Sequence, residues 1–265
     1  MNYIVVYYGK DIVYENGFTN EYRNDVRYII IGDSIYAKDQ SFSISKGSKV
    51  EISLSSSITS LEKFFDKNYD DNVQYIESID LSNFDWSKVV SYESSFNGCS
   101  SLKKVIFPKD ETPSLINMSS MFNGCSSLLE VNFTMFNTES ITNLDNLLYG
   151  CSSLKVINLS GINLMNVNSA ENIFEGINNL GYINIKDATI PTTVKTSLVN
   201  KFNNRDNLIV CQNQDKILDS TNIKDICCDY DLNAGKCISS NYIVITFQNS
   251  LTYNLKEGFD LNFLF

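Results

Sequence analysis

Phe96-Asn97-Gly98-Cys99-Ser100-Ser101-Leu102 recurs without change as Phe122-Asn123-Gly124-Cys125-Ser126-Ser127-Leu128. A third copy, Leu148-Tyr149-Gly150-Cys151-Ser152-Ser153-Leu154, keeps the frame, and a fourth, Phe174-Glu175-Gly176-Ile177-Asn178-Asn179-Leu180, keeps Phe, Gly and Leu. Each begins 26 residues after the one before. A fixed period of this size marks a solenoid, in which no unit can bury its apolar face alone and each stacks on its neighbours. Working outward, the frame residue is Ile76, Leu102, Leu128, Leu154 and Leu180, and the positions three and five further on are apolar in every unit, as in Ile79 and Leu81 or Val131 and Phe133. A spacing of two is strand spacing, so five parallel strands are predicted over 77–81, 103–107, 129–133, 155–159 and 181–185. Between them run further apolar sets such as Leu115, Met118 and Phe122. Their spacings of three and four predict short helices or 3₁₀ turns on the opposite side, each ended by a left-handed glycine at 98, 124, 150 or 176.

The array occupies residues 58–189, and its first unit carries five extra residues between its Phe and its Ile. Residues 1–57 read as a β-rich leading segment, with short strands separated by Gly9-Lys10, Glu15-Asn16-Gly17, Gly32-Asp33 and Lys46-Gly47. Residues 190–240 read as a closing cap. An amphipathic helix after Pro191 carries Val194, Leu198, Val199 and Phe202, a strand follows at 208–211, and then comes a Cys-containing segment. Residues 241–265 repeat residues 2–18: Asn241-Tyr242-Ile243-Val244 matches Asn2-Tyr3-Ile4-Val5, and Tyr253 and Gly258-Phe259 match Tyr14 and Gly17-Phe18. This reads as the opening of a next module, with two merely similar edge strands as the alternative.

The formal charge of -10 argues against a nucleic-acid partner, because such binding rests on Lys and Arg neutralising phosphates. No histidine occurs, which removes Ser-His-Asp and Cys-His catalysis and histidine-containing zinc sites. No apolar run reaches the roughly 18 residues of a membrane helix, so no membrane insertion is expected. Met1 to Tyr8 lacks the basic leader of a signal peptide. No cofactor is assigned.

Cys99, Cys125 and Cys151 lie at the repeat period and are expected to form a buried ladder of small apolar side chains. Cys211, Cys227, Cys228 and Cys237 fall outside the array; four cysteines in a short loop-rich stretch suggest two disulfides, with three connectivities open, and an oxidising compartment. Asp66, Asn68, Asp70 and Glu77 have the spacing of a calcium loop, but Asp71 stands where the sharp turn needs glycine and a strand follows. A solvated loop is the expected reading, and no metal is assigned. The outward strand positions are Asp80, Ile106, Asn132, Asn158 and Asn184, a polar sheet surface that doubles as a candidate recognition strip.

Ile79-Asp80-Leu81-Ser82-Asn83-Phe84-Asp85-Trp86-Ser87-Lys88-Val89, followed by the Phe96–Leu102 motif, resembles the BspA-type leucine-rich-repeat surface-protein family, and Met121-Phe122-Asn123-Gly124-Cys125-Ser126-Ser127-Leu128 matches the most typical form of its repeat. The spacings give an α/β fold of about five parallel strands, and the resemblance implies that it is a curved leucine-rich-repeat solenoid. It also implies display at the cell surface or secretion, and adhesion to a protein or glycan without catalysis. An intracellular interaction scaffold of the same shape is the alternative, favoured if all cysteines are reduced. An enzyme ranks last: paired acids such as Asp80 and Asp85 sit at repeat positions that turns and strand faces already explain.

Overall fold

β-Branched and aromatic residues separated by turn-forming pairs fold the leading segment into β1 (Tyr3–Tyr8), β2 (Ile12–Tyr14), β3 (Val26–Ile31), β4 (Ser34–Ala37), β5 (Phe42–Ile44) and β6 (Lys49–Leu54). The structure is a computed structural model that describes residues 2–110, 112, 114–213, 216–220, 223–232, 236–238, 242–246 and 252–256. The repeat region supplies β7 (Ile76–Asp80), β8 (Lys104–Ile106), β9 (Glu130–Asn132), β10 (Val156–Asn158) and β11 (Tyr182–Asn184). The centres of β8 to β11 fall where the period of two places them, β7 lies one residue earlier than expected, and the stack is a β-solenoid of about five turns. Then follow α1 (Thr192–Phe202), β12 (Ile209–Cys211), β13 (Lys224–Asp225), β14 (Asp229–Asp231), β15 (Lys236–Ile238), β16 (Tyr242–Thr246) and β17 (Thr252–Lys256).

Four strands of the leading segment and those of the first two coils share one sheet, in the order β4-β3-β6-β1-β7-β8, and β2 and β5 pair separately. β1 runs antiparallel to both β6 and β7, pairing Val6 with Val50 and with Ile79, so it covers the edge that the first coil would otherwise leave open. β7 and β8 are parallel. A second sheet, β13-β12-β11-β10-β9, is parallel throughout and carries the stack past the last repeat. α1 follows Pro191 as expected and buries Val194, Leu198 and Phe202 against the final coil. β16 and β17 pair as an antiparallel hairpin. Asn241 and residues 257–265, which hold Gly258 and Phe259 of the second copy, lie outside the described residues.

The side opposite the strands corrects one expectation. Instead of short helices, each coil runs through a chain of tight turns, and the one 3₁₀ helix among the described residues, Asp71–Tyr75, belongs to the longer first unit. Ser95, Asn97 and Cys99 N–H bond three residues back to Tyr92, Ser94 and Phe96, while the intervening Ser94, Phe96 and Gly98 donate to Ser119, Met121 and Asn123 of the next layer. Alternate amides thus serve the coil and the stack, which a helix would forbid. Left-handed residues stop any helix from forming: Ser94, Ser120, Asn146 and Asn172 have φ of 53° to 56°, and a left-handed glycine follows four residues later in each unit. The apolar spacing of three and four is real, but it belongs to turns.

Gly98, Gly124, Gly150 and Gly176 stack on one another. A Cβ at Gly176 would meet the Gly150 Cα at 2.8 Å, whereas one at Gly161, also left-handed at φ 69°, would meet open space. Inside, Leu102, Leu128, Leu154 and Leu180 are buried, as are the rings of Phe65, Phe96 and Phe122, whose centroids are 6.0 and 5.3 Å apart. Each such side chain contributes about 1.5–3 kcal/mol of burial. Cys99, Cys125 and Cys151 form the expected ladder, each thiol donating to the carbonyl of the layer before, on Phe65, Phe96 and Phe122, at 3.3, 3.1 and 3.2 Å.

Gly161→Ala should cost about 1–2 kcal/mol from left-handed strain alone, and Gly176→Ala distinctly more, because the added methyl also overlaps backbone; urea midpoints of the two variants measure the difference. Burial holds the three thiols well above their ordinary value of 9.0, Cys151 up to about 12, and raises Tyr8, Tyr14 and Tyr92 above 10.0. Groups whose proton is held more tightly in the fold stabilise it below their unfolded values and lose that stabilisation as the pH rises. Urea midpoints should therefore fall steadily as the pH is raised beyond 9; a flat profile would contradict the burial.

Candidate functional site

Strand geometry turns Asp80, Asn132, Asn158 and Asn184 outward at the ends of β7, β9, β10 and β11. Their side-chain oxygens have a job within the fold. Each accepts the N–H two residues on: Ser82 to Asp80 at 2.8 Å, Thr134 to Asn132 at 3.0 Å, Ser160 to Asn158 at 3.1 Å and Lys186 to Asn184 at 3.1 Å. These Asx turns redirect the chain out of the strand, and they leave the carboxamide –NH₂ of each Asn as the group available to a ligand.

Ile106, at the same position in β8, has no such oxygen and is 40% exposed. The residue two on is Pro108, which has no N–H to satisfy, and the next place inward, filled by Phe84, Phe136 and Ile162 in other units, holds the exposed Asp110. The stack opens at this layer. Elsewhere the residue after each strand donates its N–H to the last strand residue of the next layer: Leu81 to Ile106 at 2.7 Å, Phe133 to Asn158 at 2.9 Å, Leu159 to Asn184 at 2.7 Å and Ile185 to Cys211 at 2.8 Å. Among the described residues no such bond joins Phe107 to Asn132, and β8 and β9 end separate sheets. The opening is local. Leu129 N–H still reaches the Lys103 carbonyl at 3.4 Å on one side, Thr112 N–H reaches Met135 at 3.2 Å on the other, and the bridges from Ser91 to Asn117 and Asn117 to Asn143 run unbroken along the opposite side.

Between β8 and β9 lies a cleft of about 300 Å³ walled by Val105, Ile106, Phe107, Phe122, Val131 and Met135, with Lys104 and Glu130 adding opposite charges. Val105 and Phe107 are only half-buried, whereas their counterparts Ile79, Ile157, Leu81 and Leu159 are buried. Behind Phe107 stand Trp86 and Phe136, with ring centroids 6.0 and 5.0 Å away, so the wall of the cleft is backed by aromatic packing. The indole N–H of Trp86 and the hydroxyl of Tyr92 are buried beside this cluster and have no hydrogen-bond partner among the described residues.

Of the acidic-loop residues Asp70 serves the junction with the leading segment, and Asp66 and Glu77 bond within the coils. The Asp66 carboxylate accepts from the Asn68 N–H and the Asn97 amide, at 2.8 and 2.9 Å. Asp70 accepts from the Asn72 N–H, the Tyr14 hydroxyl and the buried Arg23 guanidinium, each at 2.9 Å. Arg23 also donates to the Phe64 carbonyl at 2.8 Å and lies over the Phe18 ring, 3.5 Å from its centroid. Glu77 pairs with Lys103 at 3.2 Å, away from the other three. Among the described residues no group of three or more acidic or cysteine side chains is placed to hold a metal. Asp85 is tied to Ser87, whose bonds hold its carboxyl below the usual range, while Asp80 serves its own turn; each acid of the pair considered for catalysis works locally.

Of the five strand-face candidates, the structure aligns all on one face and sets Ile106 apart. Spacing alone places Ile106 in the set although it breaks the pattern, and spacing does not single out Pro108, Asp110 or Arg23. The signal for the first two was present: one unit replaces an Asx residue, a donor and an apolar residue at alternate positions. The four cysteines outside the array form Cys211–Cys227 and Cys228–Cys237, one of the three connectivities left open. Cys211 occupies in β12 the strand-end place that Asn184 holds in β11. These disulfides suggest an extracellular location.

Asn158→Ala should lower stability by about 1–2 kcal/mol by orphaning the Ser160 N–H, and Asn158→Asp, which keeps the acceptor, should be near neutral; thermal unfolding of the pair separates a turn role from a ligand role.

Among the described residues no helix is long and apolar enough to cross a membrane. No curated protein and no solved structure matches the chain. Residues 56–185, just under half of the chain and nearly the whole of the coil region, match a family described as a Mycoplasma protein of unknown function, DUF285, and this stretch of the chain is similar to that family.

Proposed function

We propose that the chain is an extracellular or cell-surface binding module, a leucine-rich-repeat array of BspA type that recognises a protein or glycan on the outward face of its parallel strands and performs no catalysis. The observation that carries this reading is the cleft between β8 and β9, a preformed apolar recess on a face whose other strand-end candidates, Asp80, Asn132, Asn158 and Asn184, are polar. Apolar recesses flanked by a few fixed polar groups are favoured binding sites. The buried leucine frame at 102, 128, 154 and 180 supports the repeat type. The two disulfides favour the extracellular reading over an intracellular scaffold, which was expected to keep its cysteines reduced. The absence of histidine from the sequence and the burial of all three free thiols, which holds them protonated, support binding over catalysis.

The test is adsorption of the labelled chain to immobilised extracellular-matrix proteins and to a glycan array, beside a variant carrying Asn132→Asp, Asn158→Asp and Asn184→Asp. These changes keep the Asx acceptors and remove the outward donors. Saturable binding weakened about tenfold by the triple variant is the expected result. Adsorption to neither surface, or turnover in a screen of hydrolase substrates, would sink the reading.

A further inference from the structure

We infer that the opening between β8 and β9 receives an extended segment of another polypeptide, which lies along the strand edge and seats one apolar side chain in the cleft. This rests on the binding-module reading and names the partner's chemistry. The missing layer bond leaves the Phe107 N–H and the Asn132 carbonyl side without the mutual pairing that every other layer makes, so the site offers main-chain groups as well as apolar surface. A polypeptide in extended form supplies the complement to both: amides and carbonyls alternating along one edge, and side chains alternating between the sheet and solvent. A sugar would bring hydroxyls to a recess whose walls are Val105, Ile106, Phe107, Phe122, Val131 and Met135, and would leave most of them unmatched. Lys104 and Glu130, exposed and of opposite sign on the two edges, suit the polar side chains that would flank the buried one.

The site is preformed. The opposite side of the stack is continuous through these layers, so a ligand does not have to part the coil. Phe107 rests on Trp86 and Phe136, which fixes one wall. The cleft volume of about 300 Å³ sits at the lower end of the ~300–1,000 Å³ typical of ligand pockets, a size for one large side chain and its neighbouring amides. Preorganisation of this kind lowers the ordering cost that limits peptide affinity.

The experiment selects linear peptides from a displayed random library on the whole immobilised chain and measures their affinity for the parent, for Ile106→Asn combined with Pro108→Ser, and for Ile106→Lys. The double variant restores the Asx acceptor and the N–H that the other layers have, so it should close the sheet with no loss of melting temperature. Ile106→Lys changes only an exposed side chain. The expected result is peptide binding to the parent that falls about tenfold or more on both variants and on N-methylation of alternate peptide amides, with slowed amide exchange at Phe107 in the complex. Failure to select any peptide, equal affinity for parent and variants, or indifference to N-methylation would overturn the inference, as would competition at the cleft by glycans and not by peptides. If these fail while the triple Asn variant still loses its adsorbed ligand, the peptide slot alone falls; if both fail, the binding-module reading falls with it.

Discussion

The structure depends on one requirement, that the amides of each layer find carbonyls in the next. A coil of 26 residues has too little interior to bury its polar backbone alone, and buried N–H groups cannot be left unmet. The chain meets this on both sides. On the strand side it uses the parallel ladders from β9 to β13, and on the opposite side it uses the alternate amides of the turn chain, as in Phe96 to Met121 and Gly98 to Asn123. Equal unit length follows from this pairing, because one added residue would put every later amide opposite the wrong carbonyl. The first unit escapes this by placing its extra residues in the 3₁₀ turn Asp71–Tyr75, which returns the chain to register at Ile76.

The same requirement explains the ends. β1 closes the first coil by antiparallel pairing with β7, and the buried Arg23–Asp70 pair fastens the leading segment to the loop above it. Arg23 is a costly residue to bury, and it is accommodated by a carboxylate, a carbonyl and an aromatic face together. At the other end α1 covers the last coil while β12 and β13 extend the sheet, and Cys211–Cys227 ties β12 to the segment that follows β13.

Most of the coil was legible in the sequence because layer-to-layer identity is written in side chains. Leu102 and Leu128, or Cys99 and Cys125, occupy the same place one period apart, and a repeated place in a stack is a contact. The turn chain was misread as helical because Tyr92 and Phe96 are spaced alike in a helix and in successive turns; what decides is backbone handedness at Ser94 and Ser120, residues that no propensity assigns to the left-handed region. The Arg23–Asp70 pair joins positions 47 apart with no pattern between them, so sequence spacing could not find it. The opening at β8 lies between these cases. Ile106, Pro108 and Asp110 each depart from their columns, but their joint meaning rests on which N–H the Asx oxygen serves, and that is a fact of geometry.

In a stack whose stability is a sum of neighbour couplings, the junction between the second and third layers lacks a strand ladder and keeps the bonds of its opposite side. The array is therefore two cooperative blocks joined by a softer seam. One block is anchored through the leading sheet and Arg23, and the other through α1 and the disulfides. Tension applied between the two ends would concentrate at that seam, which makes the second layer the mechanical fuse of the molecule.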